Sequence, residues 1–122
     1  MLDKTDTDKI EKVLGDLKYV HKSFTFRDSK CYGHYMQLLN HAMVDRSLTR
    51  MTKELIAVGI CAYANCEPCM TVHVREALRA GATDEQVEEA VDVAMEMGGG
   101  PVVARGGAYI FKLLEYFRGK GR

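Results

Sequence analysis

Apolar residues recur along this chain at the spacing of helices rather than at the alternating spacing of strands. A first helix is predicted over residues 7–19, where apolar side chains three and four positions apart share one helical face. After a connector through Phe24 and Phe26, the same spacing predicts a second helix over residues 29–43. The side chains expected to face inward from these two helices are Ile10, Val13, Leu14, Leu17, Tyr32, Tyr35, Met36, Leu39 and Met43.

The middle of the chain predicts two consecutive helices that meet at Asn65. The third helix begins after Thr49, a residue suited to capping a helix N-terminus, and runs as far as residue 63 or 64. Its few polar positions predict a central place in the fold. Asn65 interrupts the pattern and is expected to cap a fourth helix, which Gly81 ends as a C-terminal glycine.

Two further helices are predicted before the C-terminus. Thr83 and Gln86 have the spacing of a capping box, and the fifth helix continues from there to the glycines and proline at 98–101. A sixth helix is predicted over residues 102–117. The chain is therefore expected to be a single all-α domain over residues 1–122, a bundle of about six helices with residues 1–6 and 118–122 as frayed tails.

The composition narrows the class of protein. The 122 residues suffice for one domain, and 47% of them are hydrophobic. The 17 basic and 17 acidic residues cancel, so neither nucleic acid nor a membrane surface is an expected partner, and low net charge favours self-association. The sequence has neither an apolar run long enough for a membrane span nor a signal-peptide core, which predicts a cytoplasmic protein.

A close pair of cysteines in a reducing compartment points to redox chemistry or to a metal. Cys66 and Cys69 lie in the first turn of the predicted fourth helix, with Cys66 at its first position, Pro68 at its third and Cys69 at its fourth. The positive end of the helix dipole favours a thiolate over a thiol. Two sulfurs within reach of each other in such a place suit a reversible dithiol–disulfide couple.

Two ionisable residues are expected to serve this pair. His73 lies four residues after Cys69 on the same helical face, where an imidazole can take a thiol proton. Glu54 shares a face of the third helix with Val58 and Cys61, and a carboxylate on an otherwise apolar helix needs a partner. We therefore expect Glu54 to pair with His73, and we interpret Cys61 as a core residue.

Other interpretations of the same residues stay open. Taken alone, His73 fits the role of a partly buried helix histidine, and Glu54 fits that of a solvated acid near a helix start. Cys31-x-x-His34 together with Cys66-x-x-Cys69 has the donors of a Cys₃His zinc site, which would make the chain a zinc-stabilised, non-enzymatic module. The sequence shows no glycine-rich dinucleotide motif, so no cofactor is expected.

These residues resemble the AhpD-like and carboxymuconolactone decarboxylase-like superfamily. The resemblance covers residues 48–109, about half of the chain. The motifs that carry it are Thr52-Lys53-Glu54-Leu55-Ile56, Cys66-x-x-Cys69, His73, Gly81-Ala82-Thr83 and Gly98-Gly99-Gly100-Pro101. It implies an all-α fold that assembles into trimers or hexamers. It also favours the alkylhydroperoxidase branch, which carries the cysteine pair, over the lactone decarboxylases, which generally lack it.

The resemblance also implies roles for the site residues. By motif position, Cys69 attacks the peroxide and Cys66 resolves the resulting sulfenic acid as a disulfide. Glu54 and His73 relay protons. The residues themselves leave open which cysteine attacks, since both lie near the helix start. The chain departs from the family pattern at Pro68, where AhpD-like proteins have a second relay histidine that thiol–disulfide exchange does not need.

The sequence therefore predicts a thiol-dependent oxidoreductase that reduces peroxides or disulfides through the Cys66–Cys69 couple. Its electrons are expected from an external thiol or dithiol donor, since no nicotinamide or flavin motif is present. The alternative is a carboxymuconolactone decarboxylase-like lyase, in which His73 and Glu54 perform acid–base chemistry without the cysteines.

Overall fold

Residues 2–120, which the computed structural model describes, form six α-helices and one π-helical segment, with no β-strand. In chain order these are α1 (Lys4–Phe26), α2 (Lys30–Met43), α3 (Arg50–Ala64), α4 (Glu67–Arg79), α5 (Asp84–Gly98), the π segment (Val102–Gly107) and α6 (Ala108–Lys120). The predicted all-α class is confirmed. None of the described helices is both long and apolar enough to cross a membrane.

The third helix lies at the centre of the bundle, as its scarcity of polar positions predicts. α3 packs against α4, α5 and the π segment, and its pairing with α4 is the most extensive in the fold. One core runs through these elements and α6, to which α1 adds Ile10. Its larger members include Val58, Met70, Val74, Val87, Val91, Val102, Tyr109, Ile110, Leu113, Leu114 and Phe117. The two helices that carry the predicted site are therefore held by the best-packed part of the molecule.

The second helix differs from its prediction. α2 buries none of its residues completely, and Tyr35, expected to face inward, is 57% exposed. Tyr32 stacks on Phe24 of α1, and its hydroxyl lies 2.7 Å from Nδ1 of His21. Helical spacing identifies the apolar face of a helix, but it does not show whether the same chain covers that face.

The first helix is longer than predicted in both directions. Asp3 and Asp6 form a capping box that starts α1 before residue 7. The segment through Phe24, predicted as a connector, continues the helix and packs on α2. Both extensions of α1 depend on a capping box and an aromatic contact, neither of which belongs to the apolar stripe used for the prediction.

The terminal helices also continue into the segments predicted as frayed tails. Lys112 of α6 lies 2.7 Å from Asp6, and its hydrogen bond lowers the pKa of that carboxyl. Arg118 pairs with Asp84 at the start of α5. These ion pairs tie the described parts of both ends to the bundle, whereas residues 1, 121 and 122 lie outside the described residues.

The caps predicted for two other helices are confirmed. The Thr49 hydroxyl accepts the N–H of Thr52 at the start of α3. At the start of α5, Thr83 and Gln86 form the reciprocal bonds of a capping box. Gly81 follows α4 with φ at +102°, a conformation that favours glycine.

The predicted sixth helix begins with a wider turn than an α-helix. The π segment brings Gly106 so close to α3 that a Cβ atom on it would lie 2.8 Å from the Ala62 carbonyl oxygen. A glycine is therefore required where the two backbones meet, next to the end of α3 that precedes Cys66.

We expect Gly106→Ala to lower the free energy of unfolding by about 1–3 kcal/mol, because a backbone oxygen cannot easily move away from the new methyl group. Gly15→Ala is the matched control. Nothing lies within 4 Å of a Cβ atom at that exposed position of α1, so alanine should stabilise the helix there by about 0.5–1 kcal/mol. Urea denaturation measures both changes, and equal stabilities of Gly106→Ala and the parent would contradict the close approach.

Candidate active site

The site begins at the junction of α3 and α4, where the predicted cap is wrong by one residue. Asn65 ends α3 in the left-handed conformation, with φ 55° and ψ 42°. The N–H groups of Asn65 and Cys66 donate to the carbonyls of Ala62 and Cys61, as in a Schellman motif. Because asparagine adopts this conformation more readily than most residues, it closes α3 and leaves Cys66 to cap α4.

A disulfide joins Cys66 and Cys69 across the first turn of α4, with their Cα atoms 5.2 Å apart. As the N-cap residue, Cys66 accepts the backbone N–H of Cys69 on its sulfur, at 3.3 Å. Pro68 and Cys69 thus occupy the second and third helical positions, one earlier than predicted. Both sulfurs stay in the first turn, where the helix dipole favours negative charge.

The expected pairing of Glu54 with His73 is present in the structure. His73 Nδ1 lies 3.3 Å from Glu54 Oε2, across the interface between α3 and α4. Glu54 is only 2% exposed, on the face of α3 that also buries Val58 and Cys61. A carboxylate that accepts from Nδ1 orients the ring and leaves Nε2 as the nitrogen available for proton transfer. His73 follows Cys69 by one helical turn.

Residues that the sequence did not single out as site residues contact the disulfide turn through Glu67. Lys9 of α1 forms an ion pair of 2.8 Å with Glu67, which lies between the two cysteines in sequence. The same ammonium lies 5.4 Å from the centre of the Tyr109 ring. The Tyr109 hydroxyl is 2.8 Å from that of Thr71, and burial raises the pKa of Tyr109. No local pattern connects these residues, because they come from three different helices.

A cavity of about 410 Å³ opens beside the acid–base pair, between α2, α3 and α4. Glu54 and His73 form part of its lining, and α2 supplies apolar side chains such as Met36 and Leu39. Its volume is within the range of small-molecule sites. The partly exposed apolar face of α2 therefore forms a wall of the candidate site.

The remaining two cysteines are free thiols. Cys61 is buried, and desolvation, with a smaller contribution from the Glu54 charge, raises its pKa to about 11. Cys31 is exposed on α2. Within residues 2–120, no three side chains of the kinds that bind metals are grouped to hold an ion, so the Cys₃His set is not assembled there.

The fold and this site together define a class: a small all-helical protein with a CxxC pair at a helix start and a carboxylate–imidazole pair one turn further on. The sequence pattern of the Carboxymuconolactone decarboxylase family matches residues 31–109. The chain belongs to this family.

Two relatives are similar to more than half of the chain. An uncharacterised protein from Cupriavidus necator is 40% identical over 83 residues, which are 68% of this chain and 70% of that protein. Uncharacterised protein 4 in the cox locus of Paracoccus denitrificans is 40% identical over 70 residues, or 57% of this chain and 63% of its own length.

Solved structures show the same fold. A carboxymuconolactone decarboxylase family protein from Legionella pneumophila superposes with a TM-score of 0.81 at 27% identity, over 94% of this chain and 99% of that one. A family member from Thermotoga maritima gives a TM-score of 0.74 at 22% identity, over 91% of this chain and 97% of its own. The resemblance noted from the sequence is thus confirmed for family and fold.

We expect Cys61 to resist iodoacetamide at pH 8 in the reduced, folded protein, whereas Cys31 and the CxxC pair are modified. With its pKa raised to about 11, only about one Cys61 in a thousand is a thiolate at that pH. Peptide mass spectrometry after digestion measures the modification, and a urea-denatured sample, in which all four cysteines should react, is the control. Rapid labelling of Cys61 in the folded protein would contradict its assignment to the core.

Proposed function

We propose that this protein is a thiol-dependent oxidoreductase that cycles between a dithiol and a disulfide at Cys66 and Cys69. The observation that carries the proposal is the bonded cysteine pair in the first turn of α4, one turn before a histidine paired with a buried glutamate. Helix N-termini favour thiolates, and an oriented imidazole can move the thiol proton.

Peroxide reduction would proceed in two steps. His73, oriented by Glu54, takes the proton of the Cys69 thiol, and the thiolate attacks one oxygen of the hydroperoxide. The O–O bond breaks, which leaves a sulfenic acid on Cys69 and an alkoxide that takes the proton from His73. The thiol of Cys66 then attacks the sulfenic sulfur, so that the disulfide forms and water leaves.

An external dithiol would restore the reduced pair. Its thiolate attacks the sulfur of Cys66 and releases Cys69 as a thiolate next to His73. The second thiol of the donor then displaces Cys66, and the donor, oxidised by two electrons, leaves as a disulfide. Disulfide substrates would follow the same exchange in reverse. Such donors are available in the cytoplasm, which is the location we propose.

Pro68 affects the two kinds of substrate differently. It lies exposed at the second position of α4, where a proline costs little, and it supplies no proton-transfer group. Thiol–disulfide exchange needs only a thiolate and a leaving thiolate. We therefore propose disulfides as substrates alongside peroxides. An antioxidative response has been suggested for the Thermotoga maritima protein, whose similarity to this chain is one of fold.

A lyase is the second candidate, and the cavity favours it in one respect. Glu54 and His73 line the cavity whereas the cysteines do not. An acid–base reaction on a small carboxylated ring would use only the carboxylate and the imidazole. Alkylation of all exposed thiols separates the candidates, since it would stop the oxidoreductase and spare the lyase.

We expect Cys69→Ser to abolish turnover of both peroxides and disulfides, because it removes the thiolate that attacks peroxides and the thiol that completes disulfide exchange with Cys66. Cys66→Ser should stop after one peroxide molecule per chain, with the sulfenic acid left on Cys69. Serine is itself a good N-cap, so α4 should remain intact in that variant. Peroxide consumption measures the turnover, and dimedone labelling followed by mass spectrometry locates the sulfenic acid.

Two further variants test a cysteine outside the pair and the histidine proposed to transfer protons. Cys31→Ser should keep full activity, since Cys31 is an exposed residue of α2 that takes no part in the disulfide. His73→Gln should slow formation of the sulfenic acid about a hundredfold, the usual contribution of a proton-transfer group. Full turnover by Cys69→Ser would refute the proposal, and dimedone found on Cys66 in that variant would reverse the two cysteine roles.

We also propose that the protein assembles from identical subunits, as trimers or hexamers. The chain has an accessible surface of 7882 Å², whereas a folded monomer of 13.7 kDa ordinarily exposes about 6,600 Å². The excess of about 1,300 Å² is within the range of about 1,000–2,500 Å² that one subunit buries in an obligate interface.

A second copy of the chain fits best on the groove between α3 and α5. Its lining is mainly apolar and well exposed, although α3 is the central helix of the bundle. The exposed apolar side chains there are Ile56, Ile60, Tyr63, Val93 and Met97. Such a contiguous patch is typical of a protein interface. With balanced charges on the chain, little electrostatic repulsion opposes self-association.

Light scattering coupled to size-exclusion chromatography should give a mass of three or six subunits at micromolar concentration. Val93→Glu should dissociate the assembly, because it buries an unpaired carboxylate at the interface. Tyr19→Glu, on the exposed face of α1, is the matched control and should leave the mass unchanged. A monomeric parent protein would contradict the assembly, and an intact Val93→Glu assembly would contradict this location for it.

A further inference from the structure

The cavity beside Glu54 and His73 also indicates the kind of molecule that the site takes. We propose that it binds an organic substrate in which an anionic group, such as a carboxylate, lies next to an apolar portion, with Arg75 as the anion-binding residue. The reaction of this substrate rests on the proposed thiol function, whereas its binding does not.

The apolar portion would lie against α2. Met36, Leu39 and Met43 line the cavity from that helix, and Val72 lines it from α4. Methionine side chains are flexible and polarizable, so they adapt to ligands of different shape. A volume of about 410 Å³ accommodates a small organic molecule rather than a single ion.

The anionic group is inferred from a half-buried arginine that has an unpaired donor. Arg75 lines the cavity, and its Nε is buried without a hydrogen-bond partner among the described residues. A guanidinium stays charged, and a buried donor of a charged group strongly favours an acceptor. A carboxylate matches the planar donors of arginine with two parallel hydrogen bonds.

The carboxylates around the cavity are already engaged by other residues. Glu54 contacts His73 at 3.3 Å. Glu76 is shared between Arg79 at 3.3 Å and Arg50 at 3.8 Å. Arg75 has no ion pair with an acidic side chain of residues 2–120, so a bound anion would not have to displace a carboxylate of these residues.

The position of Arg75 would also orient the substrate. His73 lies two residues before it on α4 and lines the same cavity. A molecule anchored at Arg75 is therefore held beside the relay that serves Cys69, one turn further towards the start of the helix. Substrates without the charge would lose this anchor but would keep the contacts with α2.

The test compares two ligands of the same shape, 4-isopropylbenzoate and the uncharged 4-isopropylbenzamide, by calorimetry on the oxidised protein, in which no turnover occurs. The benzoate should bind the parent protein at least about tenfold more tightly, as expected for a charge-assisted pair with arginine. Arg75→Gln should bring the two affinities within about twofold of each other. Arg105→Gln, an exposed cation of the π segment outside this cavity, should keep the preference.

Equal affinities in the parent, binding of neither compound, or a preference that survives in Arg75→Gln would overturn the proposal. The comparison within the parent protein remains decisive even if Arg75→Gln does not fold, and circular dichroism checks its folding.

Turnover then separates this inference from the proposed function. The reduced protein is offered cumene hydroperoxide and its 4-carboxy derivative, and kcat/KM is measured for both. The carboxylated compound should be preferred, and Arg75→Gln should remove that preference while cumene hydroperoxide is still consumed. A benzoate preference without any peroxide or disulfide turnover would refute the thiol function and support the anion site. Turnover with a ratio that Arg75→Gln does not change would refute the anion site alone.

Discussion

A carboxylate buried in an apolar helix interface has to be paired, and in this protein the pairing of Glu54 with His73 meets that requirement. Glu54 is almost fully buried on the central helix, and its partner comes from α4, the helix that packs most extensively against α3. The contact joins the two helices within their apolar interface. It also fixes the imidazole one turn from the cysteine pair.

The short junction between α3 and α4 turns this packing into a reactive site. Asn65 closes one helix in the left-handed conformation, so the very next residue can cap the following helix. With Cys66 in that place, its sulfur accepts a backbone N–H and lies within bonding distance of Cys69. The backbone geometry that reverses the chain thus also positions the two sulfurs near a helix dipole.

The weakly packed second helix also contributes to the site. α2 contributes no fully buried side chain, yet its methionines and Leu39 form a wall of the cavity at the acid–base pair. A helix that adds little to the core can adapt to a ligand at little cost in stability. The well-packed helices α3 and α4 carry the proposed reactive residues, and the weakly packed α2 faces the substrate on which they would act.

The sequence by itself determined the helical class, the caps at Thr49 and Thr83, and the CxxC, glutamate and histidine as the candidate site. Those features depend on residues a few positions apart, and local spacing records them. Tertiary structure decided that Tyr35 stays exposed, that Lys9 reaches Glu67, and that Arg75 lines the cavity. Each of these depends on which surfaces other helices cover, and partners distant along the chain leave no periodic trace in the sequence.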